Sequence, residues 1–283
     1  MKLILQITVF LIALTMIGAE RVVSLTPNLT ELVFALEQEK KLVGRSSACD
    51  YPEAAKKIPI AGDFAKPSLE PLAALRPTLV ISEATRGLQH ATAIRNLGIK
   101  FVSLPSVSIA DCLKNIASLG ELLGCKENAD ELIKQTKKDL QQLRSTLPPL
   151  EQRPKVIILI SDSPLITVGR SSFINEMIEL AGGRNVGAVR EENYFTCSME
   201  YLVEQQPDVL IMAPHMASGI KKLKQNPAWQ GLPAVKNNRI HANIDPAILY
   251  RLGPRTVEGI KTMRKLFFPD PSQKPLMKGP SDR

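Results

Sequence analysis

One short segment of this chain occurs twice, 130 residues apart, and the duplication narrows the folds open to it. Ser68-Leu69-Glu70-Pro71-Leu72 leads to Pro77-Thr78-Leu79-Val80-Ile81, and Ser198-Met199-Glu200-Tyr201-Leu202 leads to Pro207-Asp208-Val209-Leu210-Ile211. Ser, Glu, Leu, Pro and Ile recur at matching offsets. Each copy reads as one unit. Ser sits at the N-cap, Glu lies in the first turn beside the positive end of the helix dipole, and Pro stops a short helix before a buried strand. The apolar runs Leu79 to Ile81 and Val209 to Met212 suit strands covered on both faces.

The order of elements around each copy repeats as well. In the first half a strand Arg21 to Leu25 enters the loop Thr26-Pro27-Asn28 and an amphipathic helix Thr30 to Leu36. In the second, a strand Lys155 to Ile160 enters the loop Ser161 to Arg170 and a helix Phe173 to Leu180. Each half ends on a further strand, Lys100 to Leu104 and Arg239 to Ile244. Strands alternating with helices imply parallel sheets with right-handed crossovers. The expected class is α/β, with two similar lobes of parallel-type sheet flanked by helices and joined by one long linker helix. Ala129, Leu132, Ile133, Leu140 and Leu143 fall at helical spacing in the polar stretch Lys126 to Thr146, which as a helix would be about 30 Å long. Pro148, Pro149 and Pro154 end it. No Gly/Ser hinge is present, so a modest rocking of the lobes is expected rather than a wide opening.

Met1-Lys2, the apolar run Leu3 to Ile17 and Gly18-Ala19 have the charge, length and small-residue ending of a cleavable export signal. A membrane span needs about 20 apolar residues, and this run is shorter. No Cys follows it for lipid attachment, so a periplasmic product is expected. The boundaries are then 1–19 for the signal, 20–124 for the first lobe, 125–147 for the linker helix, 148–268 for the second lobe and 269–283 for a Pro-, Lys- and Ser-rich disordered tail. The net charge of +8 is spread without blocks, which reads as a solvated surface rather than a nucleic-acid footprint. Cys49, Cys112, Cys125 and Cys197 show neither a disulfide scaffold nor a metal pattern. One helix over Cys112 to Leu123 would hold Cys112 and Cys125 about 20 Å apart, too far to bridge. The three histidines, His90, His215 and His241, have no partner at ligand spacing, so no protein-held metal is expected. No nucleophile motif, phosphate loop or dinucleotide fingerprint is present, which argues against an enzyme.

Arg21-Val22-Val23-Ser24-Leu25-Thr26-Pro27-Asn28-Leu29-Thr30-Glu31, Cys49-Asp50-Tyr51-Pro52, both copies of the repeat and Gly253-Pro254-Arg255 together resemble the helical-backbone substrate-binding proteins of ABC importers for cobalamin, ferric siderophores and haem. The cobalamin branch is the most similar. The resemblance covers about Arg21 to Phe268. It implies that a small-molecule ligand, not a cofactor, is caught between the lobes by loops that follow the strands, in accord with the rule for α/β sheets. Those loops are Thr26 to Asn28, Cys49 to Tyr51, Asp63 to Pro67, Ser82 to Gly87, Asp162 to Arg170, Asn193 to Thr196 and Asp245 to Tyr250.

Ligand-binding candidates are Asp50, Phe64, Glu83, Tyr194, Asp245 and Arg251. Phe64 and Tyr194 each stand six residues before a repeated Glu, where cobalamin-binding relatives have aromatic rings, and flat apolar faces suit a rigid corrin. Glu83 falls where one relative has another aromatic. The resemblance further implies that Glu70 and Glu200 dock onto arginines of a permease dimer carrying its ATPase, the binding protein acting as a monomer. Two alternatives stay open. A ferric siderophore would call on Arg86, Arg170 and Arg251, and haem on Tyr194 or Tyr250. An exported corrinoid-processing enzyme is a more distant reading. Arg255 reads as a structural residue at the start of the last helix.

Overall fold

A computed structural model describes residues 20–269, leaving out the side chains of 84–89 and 222. The expected signal segment, and the expected tail from 270 on, lie outside the described residues. The first unit takes the chain up to Pro105 together with Asn115–Asp130, and the second takes Ser106–Lys114 with the chain from Glu131 on.

The first unit is built from β1 (Val22–Ser24), α1 (Pro27–Ala35), β2 (Leu42–Ser46), β3 (Ile60–Asp63), β4 (Lys66–Pro67), α2 (Leu69–Leu75), β5 (Leu79–Glu83), α3 (Ala84–Asn96) and β6 (Lys100–Leu104). Its sheet has the order β4-β3-β2-β1-β5-β6, parallel except for the antiparallel edge strand β4. Val22, Val23, Leu79, Val80 and Ile81 are fully buried, as continuous apolar runs in a doubly covered parallel sheet require. Two expected loops are shorter than read from sequence. Helix α1 begins at Pro27, whose fixed φ and missing N–H suit a first turn, so only Thr26 remains of its loop. Strand β5 runs through Glu83 straight into α3, which replaces the loop expected over Ser82 to Gly87.

Helices α4 (Ile109–Leu122) and α5 (Lys126–Ser145) follow, the second spanning most of the stretch expected as the linker. The second unit continues with β7 (Lys155–Asp162), β8 (Leu165–Val168), α6 (Phe173–Leu180), β9 (Arg184–Asn185), β10 (Tyr194–Thr196), α7 (Met199–Gln205), β11 (Val209–Met212), α8 (Ile220–Gln225), α9 (Pro227–Gln230), α10 (Pro233–Lys236), β12 (Ile240–His241), α11 (Pro246–Tyr250) and α12 (Thr256–Phe267). Its sheet order is β10-β8-β7-β11-β12, with β9 beside the start of β7. This sheet is mixed rather than parallel throughout. The chain reverses at Ser163-Pro164, so β8 runs antiparallel to β7 and β10 antiparallel to β8. The β-branched run Ile166-Thr167-Val168, inside the expected loop Ser161 to Arg170, favours that strand. Strand β12 is shorter than the expected Arg239 to Ile244.

The duplication persists down to individual hydrogen bonds. Helices α2 and α7 both end on a left-handed residue, Arg76 at φ 44° and Gln206 at φ 48°, before the repeated Pro. In the first copy the N–H of Thr78 donates to the Arg21 carbonyl, and in the second that of Asp208 donates to Lys155, each at 2.8 Å. The Arg21 guanidinium then donates to the Leu75 and Arg76 carbonyls, while Lys155 Nζ donates to Gln205. A basic residue at the head of each central strand thus satisfies the carbonyl end of the repeated helix, where a cation is favoured. Elsewhere in the second unit Arg264 serves two helix ends, donating to Leu143 of α5 and to Leu180 of α6.

Candidate functional site

In the first unit β1, β2, β3, β5 and β6 all run the same way, so their carboxyl ends share one edge of the sheet. Asp50, Phe64 and Glu83 stand on that edge. The loop carrying Asp50 is held from beneath. The buried Cys49 thiol accepts from Thr30 Oγ1 at 3.0 Å and lies 3.1 Å from Ser46 Oγ, while Thr30 Oγ1 lies 2.8 Å from Ser24 Oγ. Burial pushes this thiol's pKa up, so it is a packing group rather than a nucleophile. Arg45 pins the same loop, donating to the carbonyls of Ile58, Ser46, Ser47 and Lys56 at 2.9 to 3.3 Å while only 7% exposed. On this frame Asp50 is exposed and Tyr51 stands 46% exposed beside it. Phe64 occupies the turn between β3 and β4 and is 39% exposed. Glu83 closes β5 opposite Leu104 and takes the N-cap position of α3, without a side-chain cap bond.

The second unit holds a cavity of about 680 Å³. Its wall joins Asp162 and Leu165 from the β7–β8 turn, Met199 from α7, Met212 at the carboxyl end of β11, Met216, and Leu223, Gln225, Asn226 and Trp229 from the helices beyond. Three thioethers and an indole make it apolar and adaptable in shape, and the volume is in the range of small-molecule sites. Of the loops expected to line the site, only Asp162 to Arg170 contributes here. The expected loop Asn193 to Thr196 is mostly strand, with Tyr194 opening β10 opposite Val168 and 42% exposed. Tyr250 ends α11. Its hydroxyl is buried with no hydrogen-bond partner among the described residues, and burial first, then the nearby Tyr194, pushes its pKa up to about 12.

The charged candidates of this unit are partly spoken for. Asp245 accepts the Ala247 N–H at 2.8 Å as N-cap of α11 and pairs with Arg255 Nη1 at 3.4 Å. Arg170 donates to the Ala188 carbonyl and pairs with Glu191 at 3.0 Å. Arg251 follows α11 and is half-buried. Arg255 takes the N-cap position of α12. The side chain of Arg86 is not among those described. Among the described residues no group of three or more His, Cys, Asp or Glu is placed to hold a metal, and the four thiols are free.

Glu70 and Glu200 lie exposed in the first turns of α2 and α7. The Ser198 hydroxyl accepts the Tyr201 N–H as a true N-cap, whereas Ser68 occupies its cap position without a side-chain bond. A hydrogen bond from Ser198, then one from its own N–H, holds the Glu200 carboxyl below the usual range. Sequence reasoning missed Arg45 and the methionine-lined wall. Arg45 carried no signal beyond a charge placed inside an apolar strand. Met199, Met212, Met216 and Trp229 come from separate elements that only the crossovers bring together.

Among the described residues no helix is long and apolar enough to cross a membrane. A family profile described as periplasmic binding protein matches residues 22–243. The chain is 29% identical over 258 residues to the ABC transporter substrate-binding lipoprotein YvrC of Bacillus subtilis, covering 89% of this chain and 81% of that one. It is 27% identical over 263 residues to the vitamin B12-binding protein of Vibrio parahaemolyticus, covering 92% and 94%. Among solved structures it is similar to the periplasmic heme-binding protein RhuT of Roseiflexus, with a TM-score of 0.78 at 28% identity over 89% of this chain and 98% of that one. These relatives are binding proteins rather than enzymes, and this chain belongs to the periplasmic binding protein family, as a substrate-binding protein of an ABC importer.

Proposed function

We propose that this chain captures cobalamin or a related corrinoid in the periplasm and delivers it, as a monomer, to an ABC permease dimer carrying its ATPase. The observation that carries the reading is a pair of exposed aromatic rings, one on each unit. Phe64 sits at the carboxyl edge of the first sheet, and Tyr194 sits on the second beside Tyr250. Rings held by a rigid scaffold bury large area at small entropic cost, which suits a flat and rigid ligand. The adaptable methionine wall accommodates an irregular side group of such a ligand. Asp50, Glu83 and Arg251 supply polar contacts around it, Asp245 shaping its loop from the cap position.

A ferric chelate or haem is the second reading, favoured by one observation. The buried Tyr250 hydroxyl has no hydrogen-bond partner among the described residues, and a phenol is a ligand type for ferric iron. Arg170 is a weaker candidate for an anionic chelate than its residue type suggests, since its guanidinium already serves Ala188 and Glu191.

Delivery is assigned to Glu70 and Glu200, exposed carboxylates at equivalent positions of the duplicated unit. An arginine fork across an interface pairs with such a group through charge-assisted hydrogen bonds. Uptake of labelled cyanocobalamin into proteoliposomes holding the permease–ATPase tests this. Reversing both charges, Glu70→Lys with Glu200→Lys, is expected to abolish uptake and leave ligand affinity within twofold. Unchanged uptake would refute the docking role.

A further inference from the structure

We propose that Met199, Met212 and Met216 form a thioether site for a soft monovalent cation of the Cu(I) class, with Trp229 and Asp162 completing the wall around it. The site stands on the donor set of the second unit's cavity alone and does not depend on the corrinoid.

The three sulfurs reach one cavity from separate elements. Met199 opens α7, Met212 ends β11, and Met216 lies in the 3-10 helical turn Pro214–Gly219. Met212 and Met216 belong to the buried core cluster of this unit, while Met199 and the thiol of Cys197 pack against it. The described residues hold five methionines, and the other two, Met177 and Met263, are fully buried packing groups. A methionine that only fills a gap in a core leaves no space beside it. These three instead border about 680 Å³ of volume together.

The donors select the ion. Thioethers are neutral and soft, so they suit Cu(I), whereas Mg(II) and Ca(II) take oxygen ligands. The wall offers Zn(II) no imidazole and no thiol. Charge points the same way. Asp162 is the single carboxylate of the wall, and none of the described residues in it is basic. One negative charge balances a monovalent ion, but a divalent ion would leave net charge against an apolar surface, at a high desolvation cost. The indole of Trp229 adds an attractive face, since tryptophan is the strongest aromatic partner of a cation.

The test titrates the purified protein anaerobically with Cu(I), kept reduced by ascorbate and held by bicinchoninate as a competing chromophore. Ag(I) serves as a redox-inert probe, and Trp229, the chain's single tryptophan, reports through its emission. One equivalent of Cu(I) is expected to leave the chelator for the protein and quench that emission, while Zn(II) does neither. Met212→Leu with Met216→Leu keeps the apolar volume of the core and is expected to weaken Cu(I) and Ag(I) binding at least about a hundredfold. Met199→Leu, at a half-buried position, is expected to weaken it at least about tenfold. A cooperative melt and an unchanged circular dichroism spectrum confirm that these variants fold. Failure to draw Cu(I) from the chelator, wild-type affinity in the Leu variants, equal binding of Zn(II), or binding without a change in Trp229 emission each overturns the site. Loss of binding in Cys197→Ser, with the Leu variants at wild-type strength, moves the ion to the thiol and overturns it as well. Cyanocobalamin is absent from every arm, so each of these results leaves the corrinoid reading untouched.

Discussion

Replacing Tyr194 by Ala tests the aromatic contribution to ligand capture. The residue is 42% exposed, and a large aromatic side chain offers roughly 150–250 Å², so about 63–105 Å² is left for a ligand to cover. At about 25 cal/mol per Å² that area is worth about 1.6–2.6 kcal/mol, or roughly 14- to 70-fold in Kd at about 1.4 kcal/mol per tenfold. Isothermal titration with cyanocobalamin, supported by emission from Trp229 in the cavity wall, reads the change. Tyr194→Phe keeps the ring and is expected to stay within about threefold of wild type, which separates buried area from the hydroxyl. The covered remainder of the side chain, about 87–145 Å², packs in the free protein, so the melting temperature of Tyr194→Ala is expected to fall while that of Tyr194→Phe hardly moves. A Tyr194→Ala affinity within twofold of wild type would refute the reasoning, and a loss of equal size in Tyr194→Phe would transfer the role to the phenol.

Three further outcomes follow from named contacts. Arg45→Ala strips four carbonyls of a buried cation and is expected to cost at least about 3 kcal/mol in urea unfolding; Arg45→Lys should not restore it, because one ammonium cannot reproduce the fork. Asp245→Ala removes the α11 cap and should cost about 0.5–2 kcal/mol while corrinoid affinity stays within twofold; a tenfold affinity loss at unchanged stability would make Asp245 a direct ligand contact. Burial, then the nearby Asp111 and Glu179, raises the Glu176 carboxyl, against the N–H donated by Ile109. A raised carboxyl favours the fold while protonated, a contribution present below the unfolded value of about 4.3 and lost as pH climbs through the folded value. Glu176→Gln should therefore raise the melting temperature at pH 7 and give no gain near pH 4. An equal gain at both pH values would contradict it.

The repeat made the architecture legible, because a duplicated helix-strand unit predicts duplicated surroundings. Strand β6 and helix α6 have the bounds read from sequence, since Lys100 to Leu104 and Phe173 to Leu180 carry clear periods bounded by turn residues. The β7–β8 hairpin was hidden because its second strand lies inside a segment rich in Ser, Asp and Pro, where turn chemistry outweighed a three-residue β-branched run. Helix α3 was hidden because it follows β5 with no intervening loop. For the candidate site, single residues standing in loops were legible as positions but not as partners. Asp245-Pro246 is a cap and first-turn signal hidden within an expected loop, whereas nothing in the local sequence says that Asp245 also contacts Arg255, or that Arg45 turns inward to hold the Asp50 loop. The methionine wall depends on crossovers that place Met199, Met212 and Met216 together, a relation no local spacing encodes.

Ligand choice is read most directly by a calorimetric titration of the protein, freed of residues 1–19, against cyanocobalamin, cobinamide, haem and several ferric siderophores under one set of conditions. Saturable one-to-one binding of a corrinoid is expected, accompanied by a change in Trp229 emission and tighter than that of any iron chelate. Saturation by haem or a ferric siderophore with no heat from either corrinoid would contradict it.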